Sequence, residues 1–82
     1  MLTTGNQLKA ARALTGLSQG ELAKRARVNI NTIYSMEKKG EETLTSGFDI
    51  VTRVAKALEA MGVEFLNHDA PGVRLHKKRR GK

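Results

Sequence analysis

The sequence predicts a mainly α-helical domain of four helices, followed by a short β-hairpin and a basic tail. Three observations carry that expectation. Apolar residues recur at helical spacing in four stretches between Gly5 and Met61, each opened by a residue that caps helices well. Gly16, Gly40 and Gly62 stand where three of those stretches stop. Beyond Gly62 the spacing changes to strict alternation, the period of a strand.

The first helix is expected over residues 5–15. Thr4 followed three residues later by Gln7 makes a capping box, and Leu8, Ala11 and Leu14 share one face. The second starts at Ser18, where Ser18 and Glu21 repeat the capping box, and Leu22, Ala23 and Ala26 supply a narrow apolar stripe. Asn29 caps a third helix over residues 30–38, with Ile33 and Met36 inward. The fourth and longest is expected to be capped by Ser46 with Asp49. It turns Phe48, Val51, Val54, Leu58 and Met61 to one side, with Ile50 and Ala55 beside them. Val63 and Phe65 then alternate with Glu64, and Val73 and Leu75 with Arg74. The turn formers at 67–72 lie between, so a hairpin is expected. The expected organisation is a helical domain at 1–62, a hairpin at 63–76 and a disordered basic tail at 77–82.

At 82 residues the chain fits one domain and buries only about 60% of the surface it exposes unfolded, so pairing with a second copy would add stability. With no cysteine there is neither a disulfide nor a thiolate metal site. No apolar run reaches the length that spans a bilayer and no signal peptide is evident, so no membrane and a cytoplasmic location are the expectations. The net charge of +7 is unevenly spread: +5 over residues 1–40, −4 over 41–72 and +6 over 73–82. A surface built to meet phosphates would lie in the first or last block, whereas the plainer reading is a solvated surface with a solubilising tail.

Residues 17–40 read L-S-Q-G-E-L-A-K-R-A-R-V-N-I-N-T-I-Y-S-M-E-K-K-G. Two short helices meet at a tight connection, and Ala23 is small enough to let them cross closely, as a helix-turn-helix requires. The outward side of the second helix is then Ile30, Asn31, Tyr34 and Ser35, with Asn29 and Thr32 near its start. That polar face fits a major groove about 12 Å wide; Asn31 can pair bidentately with adenine and Ile30 can meet a thymine methyl. Lys38 and Lys39 lie at the far end, where phosphates would be. Ser18 opens a helix whose N-terminal N–H groups can take another.

On these residues the segment resembles the lambda-repressor-like (Cro/C1, XRE) helix-turn-helix family of small bacterial and phage transcriptional regulators. The matching motifs are L-S-Q-x-E-L-A at 17–23, V-N-x-x-T-I at 28–33 and M-E-x-x-G at 36–40. The likeness covers residues 5–61, roughly two-thirds of the chain. It implies a DNA-binding transcription regulator, a repressor acting as a homodimer on near-palindromic double-stranded DNA. It assigns base contact and bracing of the recognition helix to Gln19, and base contacts also to Asn29, Ile30, Asn31 and Ser35. Thr32 and Tyr34 would sit nearer the backbone, and Arg12 and Glu37 would form a buried structural ion pair. Arg27 departs from the pattern, standing where the family's turn usually has glycine with φ > 0, at a cost of about 1 kcal/mol. The hairpin stands where the family has a fifth helix.

Val63, Phe65, Leu66, Val73 and Leu75 are either intrachain core or a dimer seam, the seam being favoured because paired hairpin edges would cover open strands. The run Lys77-Lys78-Arg79-Arg80 either tracks phosphates or is simply solvated. His68 and His76 lack partners at ligand spacing, so no metal and no cofactor are expected. No nucleophile, base and orienter occur together, so no enzyme activity is expected. The alternative is an antitoxin or antiactivator whose protein partner meets the acidic block and the hairpin, with or without DNA binding.

Overall fold

The computed structural model describes residues 1–67 and 69–76. Four helices precede a two-stranded antiparallel hairpin: α1 (Gly5–Thr15), α2 (Gln19–Ala26), α3 (Ile30–Lys38), α4 (Phe48–Glu59), β1 (Val63–Leu66) and β2 (Gly72–Leu75). The expected tail at 77–82 and His68 lie outside the described residues. No described helix is long and apolar enough to cross a membrane.

Side chains begin the first three helices where the spacing predicts. Thr4 Oγ1 accepts from Gln7 N at 3.2 Å while Gln7 Oε1 accepts from Thr4 N at 3.1 Å. Ser18 and Glu21 exchange the same two bonds at 3.0 and 2.9 Å, and Asn29 Oδ1 accepts from Asn31 N at 2.7 Å. Each cap satisfies amide donors that have no partner inside the helix, at a benefit of about 1 kcal/mol.

The start of α4 corrects the sequence reading. Gly47 is the N-cap, no side chain caps the helix, and Asp49 instead pairs with Arg53 at 3.3 Å. Phe48 is 81% exposed, not buried. The stripe that α4 buries is centred on Val54, Ala55 and Leu58, and Phe48 falls at its margin in the first turn. Leu14 drifts off the α1 stripe in the same way and is 47% exposed.

Leu8, Leu22, Ile33, Met36, Val54 and Leu58 form the fully buried centre where the four helices converge. Burying a side chain of this size contributes about 1.5–3 kcal/mol. The hairpin closes one side of this core. Its register pairs Val63 with Leu75 and Phe65 with Val73, so these four share a face. Val63 and Phe65 are buried on the helices. That corrects their assignment to a dimer seam: they are spent on the chain's own interior. Leu66, Val73 and Leu75 remain partly exposed.

A polar clasp joins the hairpin to the start of the chain. The buried Gln7 Nε2 donates to Leu66 O at 2.8 Å, Asn67 Oδ1 at 3.1 Å and Gly72 O at 3.3 Å. Asn67 Nδ2 donates to Met1 O at 2.9 Å, and Thr3 Oγ1 lies 3.1 Å from Asn67 Oδ1. On its other side the N-terminal segment is held by the loop after α3, with Leu44 N donating to Thr3 O and Asn6 N to Gly40 O, both at 2.8 Å.

Candidate nucleic-acid interface

The connection between α2 and α3 is three residues long, and its geometry depends on one strained position. Arg27 adopts φ 61, ψ 47, a left-handed conformation that closes α2 in the manner usually left to glycine. Val28 N then donates to Ala23 O at 3.0 Å, and Asn29 opens α3. The Arg27 carbonyl is not left unpaired, because Arg53 Nη1 donates to it at 3.1 Å from α4. Nothing in the sequence marked Arg53 as a partner of this turn, since its reach depends on how α4 packs on α2.

Beneath the connection Leu22, Ala23 and Ala26 of α2 join Ile33 and Met36 of α3 in the core. With those positions inward, Asn29, Ile30, Asn31, Tyr34, Ser35 and Lys38 are exposed, and Thr32 and Lys39 are half-buried. Tyr34 is 53% exposed, and Lys38 Nζ stands 5.4 Å from its ring centroid, within cation–π range. The only acid on α3 is Glu37, which is 4% exposed. The outward row from Asn29 to Lys38 therefore carries no negative charge.

Glu37 is held by α1 and α2 together. Its Oε2 accepts from Arg12 Nε at 2.6 Å, and its Oε1 accepts from Arg12 Nη2 and Gln19 Nε2, each at 3.0 Å. Arg12 Nη1 also donates to Leu17 O at 3.0 Å. Burial, the largest influence, pushes the Glu37 carboxyl upward. The bonds from Arg12 and Gln19, with the charges of Arg12 and Lys9, outweigh it and leave the group below the ordinary carboxylate value. The partner guanidinium is raised, chiefly by its bond to Glu37.

Two positions are more committed than their residue types suggest. Asn29 spends its side-chain oxygen on capping, which leaves its Nδ2 for any other contact. Ser18 gives its N–H to Glu21 and accepts the Glu21 N–H, and the Glu21 carboxylate rests in the first turn of α2. That acid is held below its ordinary value, first by the Ser18 backbone bond and then by the Ser18 side chain, and its charge opposes an anion at that helix end. No family model matches this chain, and no curated protein does.

Proposed function

We propose that this protein is a sequence-specific double-stranded-DNA-binding transcriptional regulator, a repressor acting as a homodimer, with α2 and α3 as a helix-turn-helix of the lambda-repressor-like kind. The observation that carries the reading is the outward row of α3. It is polar, acid-free, flanked by Lys38 and Lys39, and carried on a helix whose other side is fixed in the core. In this reading Asn31 and Ser35 meet base edges with Ile30 beside them, and Asn29 contributes through Nδ2. Thr32, Tyr34, Lys38 and Lys39 meet phosphates, while Ser18, facing Glu21, contributes less.

Two copies would set their α3 helices in successive major grooves about 34 Å apart. Val73 and Leu75 pack against the chain's own core beside Val63 and Phe65, so the partly exposed Leu66 and the unpaired hairpin edges are the surface left for the seam. Repression by occluding a promoter needs no further domain. One feature favours the second reading, an antitoxin or antiactivator: the 81% exposed Phe48 on the acidic block is a large apolar side chain with no intrachain use.

Selection from a random duplex pool tests the proposal. Recovery of a preferred near-palindromic site, with affinity falling steeply between about 50 and 200 mM salt, is the expected result. A flat salt response with no preferred duplex, together with a stable protein partner, would transfer the assignment to the second reading.

A further inference from the structure

A cleft of about 390 Å³ lies where three parts of the fold meet, and none of its lining residues belongs to the outward row of α3. One wall is the start of α1, with Thr4, Asn6 and Ala10. The second is Glu41 in the loop after α3, and the third is Pro71 with Gly72 at the start of β2. Its volume falls at the low end of the roughly 300–1,000 Å³ range of small-molecule sites. The walls are fixed without a ligand. Asn6 N donates to Gly40 O and Leu44 N to Thr3 O, both at 2.8 Å, so the loop that carries Glu41 is tied to the chain start on both sides of it. Gln7 Nε2 holds Gly72 O at 3.3 Å and so ties the hairpin to the same helix.

The polar chemistry left in this lining is one-sided. Gln7 has spent its amide on the clasp and the cap. At the start of α1 the N–H groups of Asn6, Gln7 and Leu8 are paired with Gly40 O, Thr4 Oγ1 and Thr4 O, so they are not donors for an anion. The lining holds no lysine, arginine or histidine. Among the described residues the side chains of Asn6 and Glu41 have no hydrogen-bond or ion-pair partner; Lys39 reaches Glu42 instead, at 3.9 Å. The Glu41 carboxylate, Asn6 Oδ1 and Thr4 Oγ1 can all accept, and Ala10 and Pro71 add apolar surface beside them.

We propose that this cleft binds a small primary amine, an ammonium group on a short aliphatic body. An ammonium carries three N–H donors and no acceptor, which matches a lining of one carboxylate and two neutral acceptors. Its carbon chain lies on Ala10 and Pro71. An anion of the same size would meet the Glu41 carboxylate with no cation to offset it, and a neutral alcohol would forgo the charge. Because the walls belong to α1, to the loop after α3 and to the hairpin, an occupant ties all three together and opposes release of the hairpin. The site does not depend on whether α3 enters a groove.

The test titrates the full chain, labelled with 15N and held at pH 7 in a buffer free of amines, with n-butylamine, 1-butanol and butyrate. These three solutes share a chain length and differ in charge. Butylamine should give saturable shifts centred on the amides of Asn6, Ala10, Glu41 and Gly72. Butanol should bind about fivefold more weakly, the difference between a charge-assisted and a neutral hydrogen bond, and butyrate should not bind. Glu41→Gln alters an exposed side chain and should bring butylamine down to the affinity of butanol. In the parent protein, butylamine at about ten times its Kd should slow amide exchange of Val73 in the hairpin about tenfold.

Shifts that do not saturate, or that appear equally around Asp49, Glu59 and Asp69, would mark loose pairing with acidic side chains and overturn the proposal. Equal affinity for the three solutes, or a preference for butyrate, would overturn the ligand class. Parent-like butylamine binding by Glu41→Gln would remove the carboxylate from the site. Unchanged exchange of Val73 at saturation would show that the occupant does not bridge the helices and the hairpin. The comparison of solutes uses the unaltered chain, so it stands whatever the variant does.

Discussion

Gly5 meets the backbone of Met36 with no room for a side chain between them: a β-carbon on Gly5 would sit 2.5 Å from the Met36 carbonyl oxygen, with Gly40 N at 2.8 Å and Glu37 O at 2.9 Å. All three neighbours are main chain at the end of α3, so none can swing aside. Gly5→Ala should lower the unfolding free energy by about 2–3 kcal/mol through forced separation of α1 from α3. A urea titration reads this as a lower midpoint at unchanged slope. An unshifted midpoint would mean that the two helices are not held at this distance.

The Arg12–Glu37 pair predicts an acid-sensitive stability. The folded Glu37 pKa lies below its ordinary 4.5, so its contribution is complete above about pH 4.5 and fades as pH falls through the depressed folded value. Glu64, half-buried on β1, is lowered in the same direction by His76 and then Arg74. Thermal melts from pH 7 to 2 should show stability falling below pH 4.5, and Glu37→Gln should flatten part of that slope. Removing the carboxylate altogether with Glu37→Ala should cost about 3 kcal/mol at pH 7, because the guanidinium, itself only partly exposed, keeps its desolvation cost without its partner.

The left-handed Arg27 gives a prediction of opposite sign. Arg27→Gly should relieve strain and raise stability by up to about 1 kcal/mol. Arg53→Ala leaves the Arg27 carbonyl without its 3.1 Å donor and should lower stability modestly, by about 1 kcal/mol. Denaturant titrations of both variants check the pair of signs. A destabilised Arg27→Gly would show that the arginine side chain contributes more than the strain costs.

For the proposed DNA reading, Asn31→Ala should weaken binding by about 1–3 kcal/mol on the preferred duplex and relax preference at one base step. Lys38→Ala should instead weaken all duplexes alike and reduce the salt dependence by about one charge. Competition binding at two salt concentrations distinguishes them. Equal loss on every sequence for Asn31→Ala would remove it from the base-reading set.

Most of the helical framework was legible in the sequence because it is written locally. Thr4 with Gln7, Ser18 with Glu21, and Asn29 are caps whose partners lie two or three residues away. The hairpin was legible for the same reason, its alternation matching the observed register of Phe65 with Val73. What misled was periodicity near helix ends. Phe48 and Leu14 keep roughly the right spacing, but each lies at the margin of its buried stripe. Ser46 spells a capping pattern, yet the helix starts one residue later, on Gly47. At the candidate site, the exposure of Asn31 and Ser35 follows from the inward turn of Ile33 and Met36, which spacing predicts. The hold of Arg53 on Arg27, and the bond from Gln19 to Glu37, arise from packing between helices distant in sequence.

The clasp from Gln7 to the hairpin has a kinetic consequence. Its bonds join residues 59 to 65 positions apart, so nearly the whole polypeptide must be threaded into place before they can form. The helices depend on near neighbours and can assemble early, whereas the strands must wait for the far end of the chain to arrive. Docking of the hairpin should therefore close the folding reaction, and its release should be the earliest step of opening. In exchange with deuterated water, strand amides such as Val73 should take up label ahead of those in the α1 interior such as Ala11.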